Sequence, residues 1–89
     1  MYSTEIAEIL EQVQSILSHQ LCLPLDVVVA SATLEDDLGM DRLDFAEMCM
    51  SLEETFDVDI DEMRDFRTVF DIARFLGKRA LPSALYAPF

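Results

Sequence analysis

Apolar residues recur three and four positions apart along three separate stretches of this chain, and that spacing constrains the fold more than any other feature. In the first stretch Ile6, Ile9, Leu10, Val13, Ile16 and Leu17 share one helical face, while Glu5, Glu8, Glu11 and Gln14 share the opposite one. The period returns in Phe45, Met48, Cys49, Leu52 and Phe56, and again in Val69, Ile72, Ala73 and Leu76. With 2 Gly and 3 Pro in 89 residues, turn chemistry is too sparse for an all-β fold, and an apolar fraction of 52% argues against disorder. The length suits a single small core without room for a deep, walled active site, which favours a binding or carrier module over an enzyme.

The punctuation agrees with three helices. Ser3 or Thr4 can cap a first helix running to about His19, whose imidazole suits the C-terminal end of the dipole and is read as structural. Asp41 is a good cap for the second helix, with Asp44 in the reciprocal capping-box position. Thr68 and Asp71 repeat that arrangement for the last helix, which Gly77 is expected to end, with Lys78 and Arg79 near its C-terminus.

Between the first two helices, Gln20 to Met40 holds Pro24, the run Val27–Val29 and the small residues of "ASAT". A strand there would lack a partner, so a loop pinned by Val28, Leu34 and Leu38 is expected, with Gly39 turning the backbone into the second helix. Ile60, Met63 and Phe66 are expected to contact the core from a short third helix. Asp57, Asp59 and Asp61 imitate the first ligand positions of a calcium loop, but Glu62 stands where Gly is required and Thr68 where the bidentate Glu belongs, so no metal site is expected. The expected fold is all-α: a small antiparallel four-helix bundle of three long helices and one short, with a long first loop. Residues 1–80 are expected to form one domain, and 81–89, with two prolines and no periodicity, a mobile tail.

Charge narrows the partners. The net charge is −12, and 13 of the 18 acids lie between Glu35 and Asp65, where the only bases are Arg42 and Arg64. Such a field disfavours nucleic acid and membrane surfaces and favours basic protein surfaces. The face of the second helix away from its core stripe mixes Leu43, Ala46 and Met50 with Glu47, Glu53 and Glu54, more apolar than solubility alone requires. Two cysteines do not make a disulfide scaffold, and Cys49 in an apolar stripe reads as a buried, reduced thiol. A cytoplasmic, soluble monomer is expected, with no leader and no stretch long enough to span a bilayer. No His–carboxylate pair, nucleophile motif or metal set suggests an enzyme.

One charge is out of place. In "LEDDLGMDRLDFAEM", Leu34 to Met48, Arg42 lies in the first turn of the second helix, at the positive end of the macrodipole. A cation there is worth roughly 0.3 to 1 kcal/mol less than an anion, so stability does not recommend it.

The stretch "LEDDLGMDRLDFAEMCMSLEETFDVDI" resembles the acyl carrier proteins of fatty acid and polyketide synthesis, in which an acidic loop leads through Leu-Gly and one further residue to Asp-Ser-Leu. An acidic second helix and a Glu-Glu-x-Phe-Asp ending follow, and helix lengths and loop order extend the similarity over about residues 4 to 79. The resemblance implies a 4′-phosphopantetheine arm on the Ser, added from coenzyme A by a transferase. It also implies an acidic second helix that docks on synthase and transferase enzymes. Carried over by position, Asp37, Asp41, Asp44, Glu47, Glu53 and Glu54 would be recognition acids, with Leu43 and Met50 as apolar contacts among them.

The departure is Arg42, which falls at the Ser position. A guanidinium has no hydroxyl to esterify, so no cofactor is expected on this chain at that residue. The resemblance therefore implies a carrier-like domain of fatty acid or polyketide synthesis that cannot be loaded in this form. The alternative is an arm-less family member that works as a noncovalent protein-binding or regulatory module.

Overall fold

A computed structural model describes residues 4–60 and 65–86, with Thr4 and residues 79–86 described by their backbone alone. Three helices organise the described residues: α1 (Thr4–Leu21), α2 (Arg42–Phe56) and α3 (Val69–Tyr86), with α1 packed against both of the others. The apolar stripes meet as their spacing predicts. Val13 and Leu17 of α1, Met48 and Leu52 of α2, and Val69, Ile72, Ala73 and Leu76 of α3 are all fully buried in one core. Each side chain of Leu size so buried contributes about 1.5–3 kcal/mol from its removal from water.

α1 continues two residues past His19 and closes when Cys22 enters the left-handed region at φ 57°, with the Leu23 N–H reaching back to the Ser18 carbonyl at 3.0 Å. Cys22 is exposed and Cys49 buried, and the two do not form a disulfide. α2 ends in the same way, with Asp57 at φ 55°.

The long first loop is held on two sides. The side chain of Gln14 donates to the Val28 carbonyl at 2.9 Å, and Val28, Leu34 and Leu38 are buried as expected. A loop forms here as expected, but the premise that a strand would find no partner elsewhere in the chain needs correcting. Thr33 and Thr68 form an antiparallel bridge, and the N–H groups of Leu34, Val69 and Phe70 donate to the carbonyls of Arg67, Ala32 and Ala30. The stretch leading into α3 thus supplies the partner, over too few residues to make a strand.

α3 begins as a capping box. The Asp71 N–H donates to Thr68 Oγ1 at 3.2 Å, and its carboxylate accepts the N–H groups of Arg67 and Thr68, each at 3.1 Å. It does not stop at Gly77, which is buried, but runs on to Tyr86. A glycine within a helix costs only about 1 kcal/mol, and Ala80, Leu81, Ala84 and Leu85 are strong helix formers on either side of Pro82. Residues 81–86, expected to belong to a mobile tail without periodicity, continue α3 to Tyr86, and 87–89 lie outside the described residues.

Ile60 and Phe66 are buried core contacts as expected, but neither lies in a helix, and Met63, with the rest of 61–64 where the short third helix was expected, lies outside the described residues. Phe66 stacks edge-on to Phe75 at 5.4 Å between centroids and meets Phe45 at 6.2 Å, so one aromatic row joins α2, the segment before α3, and α3.

Candidate functional site

α2 starts from a complete capping box. Asp41 has an extended backbone, its carboxylate accepts the Asp44 N–H at 2.9 Å, and the Asp44 carboxylate accepts the Asp41 N–H at 3.2 Å. Gly39, at φ 69°, makes the turn that presents this cap. The side-chain amide of Gln20 crosses from α1 and donates to the Asp44 carbonyl at 2.8 Å, which fixes the start of α2 against the end of α1.

Arg42 is the first residue of α2 and is exposed. Among the described residues no carboxylate pairs with it, because the two nearest acids in sequence, Asp41 and Asp44, are turned back onto the cap. From Met40 to Ala46 no side chain carries a hydroxyl. Ser51, the nearest hydroxyl on the same helix, is nine residues further on, about 13 Å along the axis.

The candidate recognition residues separate into two groups. Leu43 and Met50 are 66% and 61% exposed, and with exposed Glu47 and Glu54 they recur at i, i+4, i+7 and i+11 on one outward face of α2. That face presents apolar surface framed by carboxylates. The other acids are already engaged. Asp37 accepts the Thr33 N–H at 2.8 Å while its own N–H donates to Thr33 Oγ1, closing the loop before Gly39. Half-buried Glu53 accepts the Ile60 N–H at 2.9 Å. Asp41 and Asp44 build the cap.

Two clefts flank the start of α2. One, of about 450 Å³, lies between the loop and the segment before α3 and is lined by Leu34, Met40, Phe45 and Phe66 with Glu35, Asp41, Arg42 and Asp65. The other, of about 560 Å³, runs beside α2 from Arg42 past Phe45, Ala46, Cys49 and Met50 to Glu53 and Ile60. Phe45 and Cys49 belong to the stripe assigned to the core, and Ile60 was expected only as a core contact. The spacing from Arg42 to Glu53, every third or fourth residue, was the signal that could have joined them to one flank of α2. Among the described residues no cluster of His, Cys, Asp or Glu is placed to hold a metal, and no helix is long and apolar enough to cross a membrane.

With this geometry in view, the comparisons are direct. Residues 11–76 match the family profile described as the phosphopantetheine attachment site. The chain is 37% identical to an acyl carrier protein of Syntrophobacter fumaroxidans over 76 residues, covering 83% of this chain and 94% of that one. It is 39% identical to an acyl carrier protein of Thermosynechococcus vestitus, covering 82% and 93% of the two chains. With that of Prochlorococcus marinus it shares 42% identity, covering 78% and 89%. The chain belongs to the acyl carrier protein family. The three helices, the capped α2 and the absence of named strands among the described residues accord with that membership. Acyl carrier proteins are carriers rather than enzymes, and the phosphopantetheine-attachment family is defined by the arm it bears.

Proposed function

We propose that this chain is a carrier-fold domain of fatty acid or polyketide synthesis that is not loaded at residue 42. What supports the reading most is Arg42 itself, exposed directly after the Asp41 cap, in a first turn without any hydroxyl. Formation of the phosphodiester that attaches a phosphopantetheine arm needs an oxygen nucleophile, and a guanidinium offers only N–H donors. The residues present do not fit a covalently held arm here.

The test is intact-mass measurement after incubation with coenzyme A and a phosphopantetheinyl transferase. The chain as it stands should keep its mass, and the Arg42→Ser variant should gain one phosphopantetheine group. A mass gain by the unaltered chain, or none by the variant, would overturn the reading.

A second reading is favoured by the outward face of α2. Leu43 and Met50, framed by Glu47 and Glu54, would still dock on a basic surface of a synthase or transferase enzyme without any arm, making the chain a noncovalent binding or regulatory module. Such docking would be held at low salt and released as salt rises through the range where the Debye length falls below about 10 Å. Absence of any salt-sensitive complex with the transferase or a synthase would count against this role.

A further inference from the structure

Five of the six bases fall between Arg64 and Arg79, and no acid follows Asp71, so this acidic chain carries one basic flank. The fold brings three of those bases together. Arg67, directly before the Thr68 cap, and Arg74 and Lys78 on α3 are exposed and line a cleft of about 350 Å³ walled by Phe66 and Phe75. Asp71 lies among them but does not cancel them. One of its carboxylate oxygens accepts the N–H groups of Arg67 and Thr68, and the other faces Arg74 at 3.9 Å, an exposed pair too long to hold the guanidinium strongly. Arg74 also lies over the Phe70 ring, 5.9 Å from its centroid, which keeps its charge on this flank.

The spacing of this flank matches that of the outward face of α2. Arg67, Asp71, Arg74 and Lys78 recur at i, i+4, i+7 and i+11, as do Leu43, Glu47, Met50 and Glu54. From the cap at Thr68 to Lys78 the basic stripe is about 15 Å long, and from Leu43 to Glu54 the acidic one is about 16 Å. Glu47 and Glu54 are separated by two helical turns, and Arg67 and Arg74 by the same number of residues. Met50, exposed between the two acids, is placed to meet the half-buried ring of Phe75 at the cleft.

We infer that the basic flank formed by Arg67, Arg74 and Lys78 is a docking surface for the acidic outward face of α2 on a second copy of this chain. The contact is heterologous, acidic face on basic flank, and it covers the face that would otherwise meet a basic enzyme surface. Self-association and docking through α2 therefore compete, and crowding of the chain with itself withdraws it from other partners. The net charge of −12 opposes the approach of two copies, so the dilute chain is a monomer and the contact depends on screening. At low salt the repulsion between whole molecules acts over about 30 Å; near 0.15 M it is cut to about 8 Å while touching pairs persist; at 1 M the pairs are screened as well.

The test is sedimentation equilibrium of the full chain up to about 1 mM, at ionic strengths of about 0.01, 0.15 and 1 M. Association should be strongest at the middle value. The double variants Glu47→Gln with Glu54→Gln, and Arg67→Gln with Arg74→Gln, should each weaken it about fivefold or more, the size of one exposed ion pair at its upper end. Removing two carboxylates lowers the repulsion between copies, so a general charge effect would move the first variant in the opposite direction. Glu8→Gln with Glu11→Gln, the same charge change on the outer face of α1, should not weaken association. Each double variant keeps the face that the other lacks, so mixing the two should recover a one-to-one complex, with NMR shifts at Leu43 and Met50 of the arginine variant.

Three results would overturn the proposal: a chain that stays monomeric at all three salts, a glutamate variant that associates as well as the parent, or shifts centred on the exposed Leu25, Val27 and Val29 of the first loop in place of α2. None of these would bear on the mass-gain experiment with Arg42→Ser, so the two readings fail separately.

Discussion

The carboxylate of Glu53 accepts the main-chain N–H of Ile60 at 2.9 Å, tying the last turn of α2 to the chain that leaves it. Ile60 is buried, so that N–H has little access to water once its acceptor is removed. Glu53→Ala should destabilise the domain by about 1 kcal/mol, the net cost of one such hydrogen bond. For a domain of this size that corresponds to a fall of about 4–8 °C in Tm. Glu53→Gln keeps an acceptor oxygen and should stay within about 0.5 kcal/mol of the parent in thermal or urea unfolding. If Glu53 also served partner recognition, Glu53→Gln would lose binding without losing stability, which separates the two roles.

The cap of α2 is the next testable element. Asp41 and Asp44 each accept the other's N–H, so removing either carboxylate frees one donor at the helix start. Asp41→Ala should cost about 1 kcal/mol, and the double change with Asp44→Ala should cost less than the sum of the single ones, because the two bonds form one reciprocal unit. Strict additivity in a double-mutant cycle would show that the bonds act independently.

How far the sequence could be read depended on the kind of interaction. Helical stripes were legible because burial repeats with the helix period: Val13, Leu17, Met48, Leu52, Ile72 and Leu76 were all assigned to the core and are fully buried. Caps were legible because Asp41–Asp44 and Thr68–Asp71 bond at fixed local spacing. The pairing of residues 30–34 with 67–70 was not, because one bridge between distant stretches leaves no periodic trace. Asp37 was assigned to recognition by its position in the family resemblance, and that its carboxylate also closes a loop onto Thr33 is a bond that neither the resemblance nor composition encodes. The end of α3 was misplaced because Gly77 was treated as a stop, whereas neighbouring helix formers outweigh one glycine.

Core truncation provides a calibration. Leu52 lies fully buried where α2 meets the rest of the core. Leu52→Ala should cost about 2–5 kcal/mol, combining lost transfer energy with the cavity left behind. A domain of this length has a total stability on the order of 4–13 kcal/mol, so the variant should show a lowered urea midpoint at unchanged slope, or fail to fold. A loss below about 1 kcal/mol would mean that the core is less well packed than described.

The contact between Gln20 and Asp44 carries a pH-dependent prediction. Gln20 donates its amide N–H to the Asp44 carbonyl at 2.8 Å, while its Oε1 is buried without a hydrogen-bond partner. In a Gln20→Glu variant the introduced carboxyl can replace the donor only when protonated, because an ionised carboxylate would face the carbonyl oxygen with nothing to share. Its folded pKa should therefore lie above the unfolded value of about 4.3. Below that unfolded value both states are protonated, and the variant should approach the stability of the parent. As pH rises the unfolded chain ionises first, so stability should fall until pH passes the folded pKa and then stay at its reduced level. The difference in unfolding free energy between variant and parent, measured by urea titration from acid to neutral pH, should grow in that direction. A difference independent of pH would mean that the side chain turns to solvent and leaves the Asp44 carbonyl.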